Sequence, residues 1–170
     1  MIVCNPKNVS ALRELLARYG LQLQQVEDAS TIPGSYWGAP EAGLIETTVN
    51  VRADTPLHSA LHETAHAVCM DDARRARLHT DAGGEYAEED AVCYLQIVLA
   101  QQLGVSAHEL CADMDAWGYT FRLGSAHVWF TQDAEDARGW LLGYGLITLA
   151  GTPTWKSRGE QQGRGVGLTH

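Results

Sequence analysis

Five consecutive residues, His62-Glu63-Thr64-Ala65-His66, restrict this chain more than any other stretch of it. Two histidines four positions apart on an α-helix stand about 40° apart in azimuth and about 6 Å apart along the axis, so both imidazoles reach one ion. Glu63 falls on the same side. It is poorly placed to ligate with them, and well placed to accept a proton from a water at an open metal position. The pattern therefore requires a helix, and it points to Zn2+ held by His62 and His66 with Glu63 as general base for hydrolysis of an amide.

The flanking residues supply the helix. Thr55-Pro56 reads as an N-cap followed by proline at the first helical position, where a missing N–H costs nothing. From there Leu57, Leu61, Thr64, Ala65 and Val68 make an apolar stripe beside the one that carries His58, His62 and His66. His58 is one turn too far for a straight helix to bring all three rings to one tetrahedral centre, so it reads as a supporting histidine rather than a ligand.

Two histidines need a third partner downstream. Gly83-Gly84 is a turn, and the acids and apolar residues from Glu85 to Leu99 read as a second long helix ending near Gly104. On it Glu88 shares a stripe with Ala91, Val92, Leu95 and Leu99, the residues expected to face the core, whereas Glu89 lines up with Cys93, Gln96 and Ala100. A carboxylate aimed at the core is costly unless paired or metal-bound, which makes Glu88 the expected third ligand, with Glu85 and Glu89 as alternatives. A different register, HExxHxxGxx followed by a ligand, would use Asp72 but puts Cys69 where the sharp bend favours glycine.

His62, Glu63 and His66 followed by Glu88, Ala91, Tyr94 and Leu99 resemble the small gluzincin metallopeptidases, in particular the ImmA/IrrE-like family, over roughly residues 43 to 103. The resemblance implies a zinc metalloendopeptidase with a strand beside the active site, His62, His66 and Glu88 as metal ligands, and an intracellular protein as substrate. The competing expectation, from another class, is a catalytically silent zinc-binding scaffold or protein-interaction module. Changing Glu63 to Gln separates the two, since a scaffold's partner would not notice it.

The remaining sequence predicts an α+β, zincin-like domain over residues 1–150, with a small antiparallel sheet packed on the zinc helix and the second long helix, and further helices C-terminal. Asn8 to Tyr19 reads as a helix ended by Gly20, Leu21 to Val26 as a strand, and Leu44 to Val51 as a strand whose edge could hold an extended peptide. Residues 32 to 43 read as a hairpin or a loop over the cleft. Ser106-Ala107-His108-Glu109 is a capping box opening a helix to Trp117, Phe121 to Phe130 reads as a hairpin, and Asp133 to Leu146 as a helix. His79, Tyr86, His127 and Tyr144 are candidate donors to an oxyanion. The glycine-rich stretch 151–170 reads as a flexible tail.

Composition narrows the partners. A net charge of −9 argues against nucleic acid or an anionic membrane as the main partner, because phosphate recognition needs clustered Lys and Arg. The longest apolar run, Ala91 to Leu103, is interrupted by Gln96, Gln101 and Gln102, as in a buried helix rather than a membrane span. Four cysteines without a CxxC pair and no leader-like N-terminus give the expectation of reduced thiols in the cytoplasm.

Overall fold

Asn5 starts the first helix. Its side chain accepts from the Asn8 backbone N–H at 2.9 Å, and Pro6 takes the first helical position, so α1 runs Pro6–Arg18, two residues longer at its start than the apolar pattern predicts. Our computed structural model describes residues 1–76 and 86–159; the Gly83-Gly84 turn, His79 and Glu85 lie outside the described residues. After α1 come β1 (Gln22–Gln25), β2 (Gly43–Ile45), β3 (Thr48–Val51), α2 (Leu57–Cys69), α3 (Asp72–Ala76), α4 (Tyr86–Gln102), α5 (Ala107–Trp117), α6 (Ala126–Gln132) and α7 (Glu135–Gly143).

The class is α+β, but the sheet is mixed rather than antiparallel. The stretch expected as one strand is a hairpin, β2 and β3, turning at Glu46, whose φ is 52°. The chain leaves β1, crosses to the far edge through residues 26 to 42, enters as β2 and returns as β3. Two reversals leave β3 running parallel to β1, with Leu23 opposite Val49, and the strand order is β1-β3-β2. Most of the expected edge strand is thus interior. The edge next to it is β2, and there the backbone of Gly34 (φ 80°) abuts Leu44 so closely that an added Cβ would lie 2.8 Å from its carbonyl oxygen and 2.9 Å from its nitrogen.

α4 is the axis of the helical layer. Every residue from Ala91 to Ala100 is buried, with α2 on one side, α7 on another and α5 on a third. Leu95, Ile97 and Leu99 are fully buried, each contributing about 1.5–3 kcal/mol of transfer free energy. A helix enclosed in this way has no single inward face, which matters for the third ligand.

The C-terminal half departs from the sequence reading in two places. The capping box forms as expected: Ser106 accepts from the Glu109 N–H at 3.1 Å, and Gly118 closes α5 in the left-handed conformation. The expected hairpin over 121–130 is instead a turn leading into α6, because Ser125 caps that helix by accepting from the Val128 N–H at 3.2 Å. Phe121 then stacks on Trp129 at 4.7 Å between ring centroids instead of meeting it across a ladder.

The expected flexible tail is docked over its first nine residues. Pro153 pairs with Ile147 in an isolated bridge, Trp155 packs on Tyr19 with Arg18 over its ring at 3.6 Å, and Arg158 enters an ion pair. Aromatic and cationic side chains interspersed with the glycines supply contacts that glycine content alone does not reveal. Residues 160–170 lie outside the described residues. No helix among the described residues is long and apolar enough to cross a membrane.

Candidate metal centre

α2 carries the motif, and both of its ends are held by other segments. Thr55 does not cap it; its hydroxyl accepts from the Arg52 N–H at 2.8 Å, closing the preceding turn, and Pro56 stands at the cap with no side-chain bond. The orphan N–H of Leu57 instead donates to the Ile2 carbonyl at 2.8 Å. At the other end Arg75 donates to the carbonyls of Ala67 and Met70, each at 2.6 Å. The helix is therefore anchored at both termini, as a ligand platform needs to be.

His62 and His66 stand edge to face, with ring centroids 4.7 Å apart. The carboxylate that meets them is Glu89, not Glu88. Glu89 Oε1 lies 3.4 Å from His62 Nε2 and 3.5 Å from His66 Nε2, and the three ligand atoms all fall within 4.8 Å of one another. These separations exceed the 2.7–2.9 Å of a good charge-assisted hydrogen bond. They match the edge of a tetrahedron around an ion bound at about 2.0–2.2 Å, which is roughly 3.4 Å. Two imidazoles and one carboxylate at that spacing are positioned to bind a metal ion.

Comparison of the chain with protein-family models, with curated proteins and with solved structures finds no match.

Behind His62 a buried polar network fixes the ring. The Gln96 amide donates to the His58 carbonyl at 2.8 Å, an atom that only accepts, so its oxygen must face His62 Nδ1, which it meets at 2.9 Å. Gln96 thereby holds the Nδ1 proton and turns Nε2, the nitrogen that would ligate an ion, toward Glu89; burial works against charge on this ring, but Tyr119, Cys93 and Glu89 outweigh it and raise its pKa well above the ordinary value. Gln96 also donates to the Tyr119 hydroxyl at 3.2 Å, and Tyr119 contacts His58 Nδ1 at 3.3 Å. His58 is a supporting residue, as its position predicts; burial, with His62 adding to it, lowers its pKa to about 4, so it stays neutral.

Electrostatics separate the two motif and third-ligand carboxylates. Burial is the main cause that raises the Glu63 pKa, with Glu41 and Glu89 adding to it against the opposing pull of His66 and His62. That makes it a stronger proton acceptor than an ordinary surface carboxylate. Burial also pushes Glu89 up, but His62 and His66 pull it further down and leave it below the usual carboxylate range. A cavity of about 330 Å³ opens beside Glu89, lined also by Tyr86, Asp90, Cys93, Tyr119 and Phe121.

The other candidates are elsewhere. Glu88, 2% exposed, is paired with Arg74 and Arg158 and is not part of the cluster that His62, His66 and Glu89 form. Asp72 is exposed and paired with Arg75 at 2.5 Å. Tyr144 receives a hydrogen bond from Arg158 and His127 packs against His108, which leaves Tyr86, on the cavity wall, as the one described oxyanion candidate near Glu89. Glu89 and Gln96 were signalled by polar residues at helical spacing on α4 within an otherwise apolar run, a pattern that reads as a functional stripe once α4 is known to be buried from Ala91 to Ala100; Tyr119, just beyond the Gly118 cap of α5, carried no such signal.

Proposed function

We propose that this chain is a zinc-dependent metallopeptidase of the gluzincin kind, in which His62, His66 and Glu89 hold the ion and Glu63 is the general base. The observation that supports the reading is the 3.4 and 3.5 Å spacing from Glu89 to two histidine Nε2 atoms, on a helix that also presents Glu63. Zinc at this position would polarise a substrate carbonyl and make water acidic enough to lose a proton near neutral pH. Glu63 accepts that proton as the water oxygen attacks the amide carbon and returns it to the amine nitrogen as the C–N bond breaks. Gln96 keeps His62 in the tautomer that ligates, and partial burial of Glu63 keeps its basicity high.

The substrate is an intracellular protein, as resemblance to the ImmA/IrrE-like enzymes implies, with the cavity beside Glu89 receiving one of its side chains. Pairing of an extended peptide with the sheet would use β2 and would require Gly34 to leave Leu44. The test is metal analysis of the full chain together with cleavage of a complex peptide mixture by wild type and Glu63→Gln. We expect one zinc per chain in both, and cleavage in the wild type alone. A wild type that takes up no zinc when it is supplied, or a Glu63→Gln variant that cleaves as fast, would overturn the reading.

A further inference from the structure

Buried Glu88 and the partly buried Arg74 and Arg158 form an ion triad beside the metal centre that the chemistry above does not use. A carboxylate this enclosed needs partners for both oxygens: Arg74 bonds one and Arg158 Nη1 the other, the latter at 3.0 Å. Arg158 belongs to the docked C-terminal segment and reaches further. It donates to the Tyr144 hydroxyl at 3.2 Å and to the Cys69 carbonyl at 3.4 Å, and its guanidinium lies over the Tyr144 ring at 4.5 Å. The next residue, Gly159, sits so tightly on Asp72 that any side chain there would collide with that carboxyl.

These contacts converge on the two helices that supply the ligands. Cys69 ends α2 three residues after His66, and Glu88 directly precedes Glu89 at the start of α4. One guanidinium therefore joins both helices at the level of the metal centre. Successive helical side chains are about 100° apart, so seating Glu88 among the arginines sets the rotation of the first turn of α4 and turns Glu89 toward His62 and His66. The first turn of a helix has the fewest backbone bonds to hold it, which is where a side-chain anchor counts most.

We propose that Arg158, assisted by Arg74, is a positioning residue that acts through Glu88 to aim Glu89 at the metal, making the C-terminal segment part of the metal centre's construction. The proposal rests on the reading of Glu89 as third ligand. Removing a group that orients a ligand lowers metal affinity about ten- to a hundredfold.

The test measures zinc affinity by chelator competition for the full chain, below the unfolding temperature of every variant. Trp155→Ala serves as control, because it removes a packing contact of the same segment with Arg18 and Tyr19 and leaves the bonds of Arg158 to Glu88, Tyr144 and the Cys69 carbonyl in place. We expect Arg158→Ala to bind zinc about ten- to a hundredfold more weakly than wild type and Trp155→Ala to bind like wild type. Arg158→Lys, which keeps the charge but cannot span Glu88, Tyr144 and the Cys69 carbonyl together, is expected in between and serves if Arg158→Ala does not fold. Wild-type affinity in the folded Arg158 variants, or an equal loss in Trp155→Ala, would overturn the positioning role. A wild type without zinc, or Glu89→Gln binding as tightly as wild type, would instead sink the metal centre and the clamp with it.

Discussion

Glu88 and Glu89 are neighbours in the chain and opposites in environment. Glu88 is 2% exposed and closed in by two guanidiniums, while the Glu89 side chain is 46% exposed and faces two imidazoles beside an open cavity. The difference shows that burial of a carboxylate does not say whether its partners are cations of the chain or the ligands of a metal ion. A buried acid demands a partner, and arginine meets that demand as well as a metal does. A ligand of a hydrolytic centre must also leave room for water and substrate, which a closed ion triad does not.

The sharpest way to break this comparison is Glu89→Ala. Loss of a ligand should lower zinc affinity by more than the about hundredfold that loss of an orienting partner costs, with little change in unfolding, because the side chain is half exposed. Glu88→Gln should do the reverse: it leaves Arg74 and Arg158 without their counter-charge and should cost about 3–5 kcal/mol in urea unfolding, while one zinc per chain is retained at reduced affinity. If Glu88→Gln abolished metal binding and Glu89→Ala did not, the assignments would have to be exchanged.

The closed side of the site should also respond to acid. His58 stays neutral in the folded chain down to about pH 4, whereas in the unfolded chain it takes up a proton near 6.5. Between those values only the unfolded state binds the proton, so stability falls as pH falls through that window, by about 3 kcal/mol in total. His58→Phe, which keeps a ring against Trp117 and Tyr119, should flatten this part of the stability–pH curve measured by denaturant unfolding. The smallest effect is expected at Gln96→Leu. Losing the acceptor for His62 Nδ1 should weaken zinc about tenfold, or about 1.4 kcal/mol, and an unchanged affinity would mean that His62 is oriented by its packing alone.

The motif helix, α4 and the capping box at Ser106 were legible because each depends on residues close in sequence. The hairpin expected at 121–130 failed where Ser125 could cap a helix, a local signal outweighed by the aromatic pattern around it. The direction of β1 against β3 was not legible, since strand pairing across residues 26 to 47 depends on the route of the connection and not on the strands' own residues. Apolar spacing on α4 favoured Glu88 because it assumes one buried face, and α4 is buried on all of them.

By itself, then, the sequence determined that His62, Glu63 and His66 share one side of a helix, because a four-residue spacing has only one meaning once the backbone is helical. Which carboxylate stands opposite them was decided by tertiary structure. The rotation of α4 is set by groups far away in the chain, Arg158 seventy residues beyond Glu88 and the enclosing faces of α2, α5 and α7, and no local pattern records it.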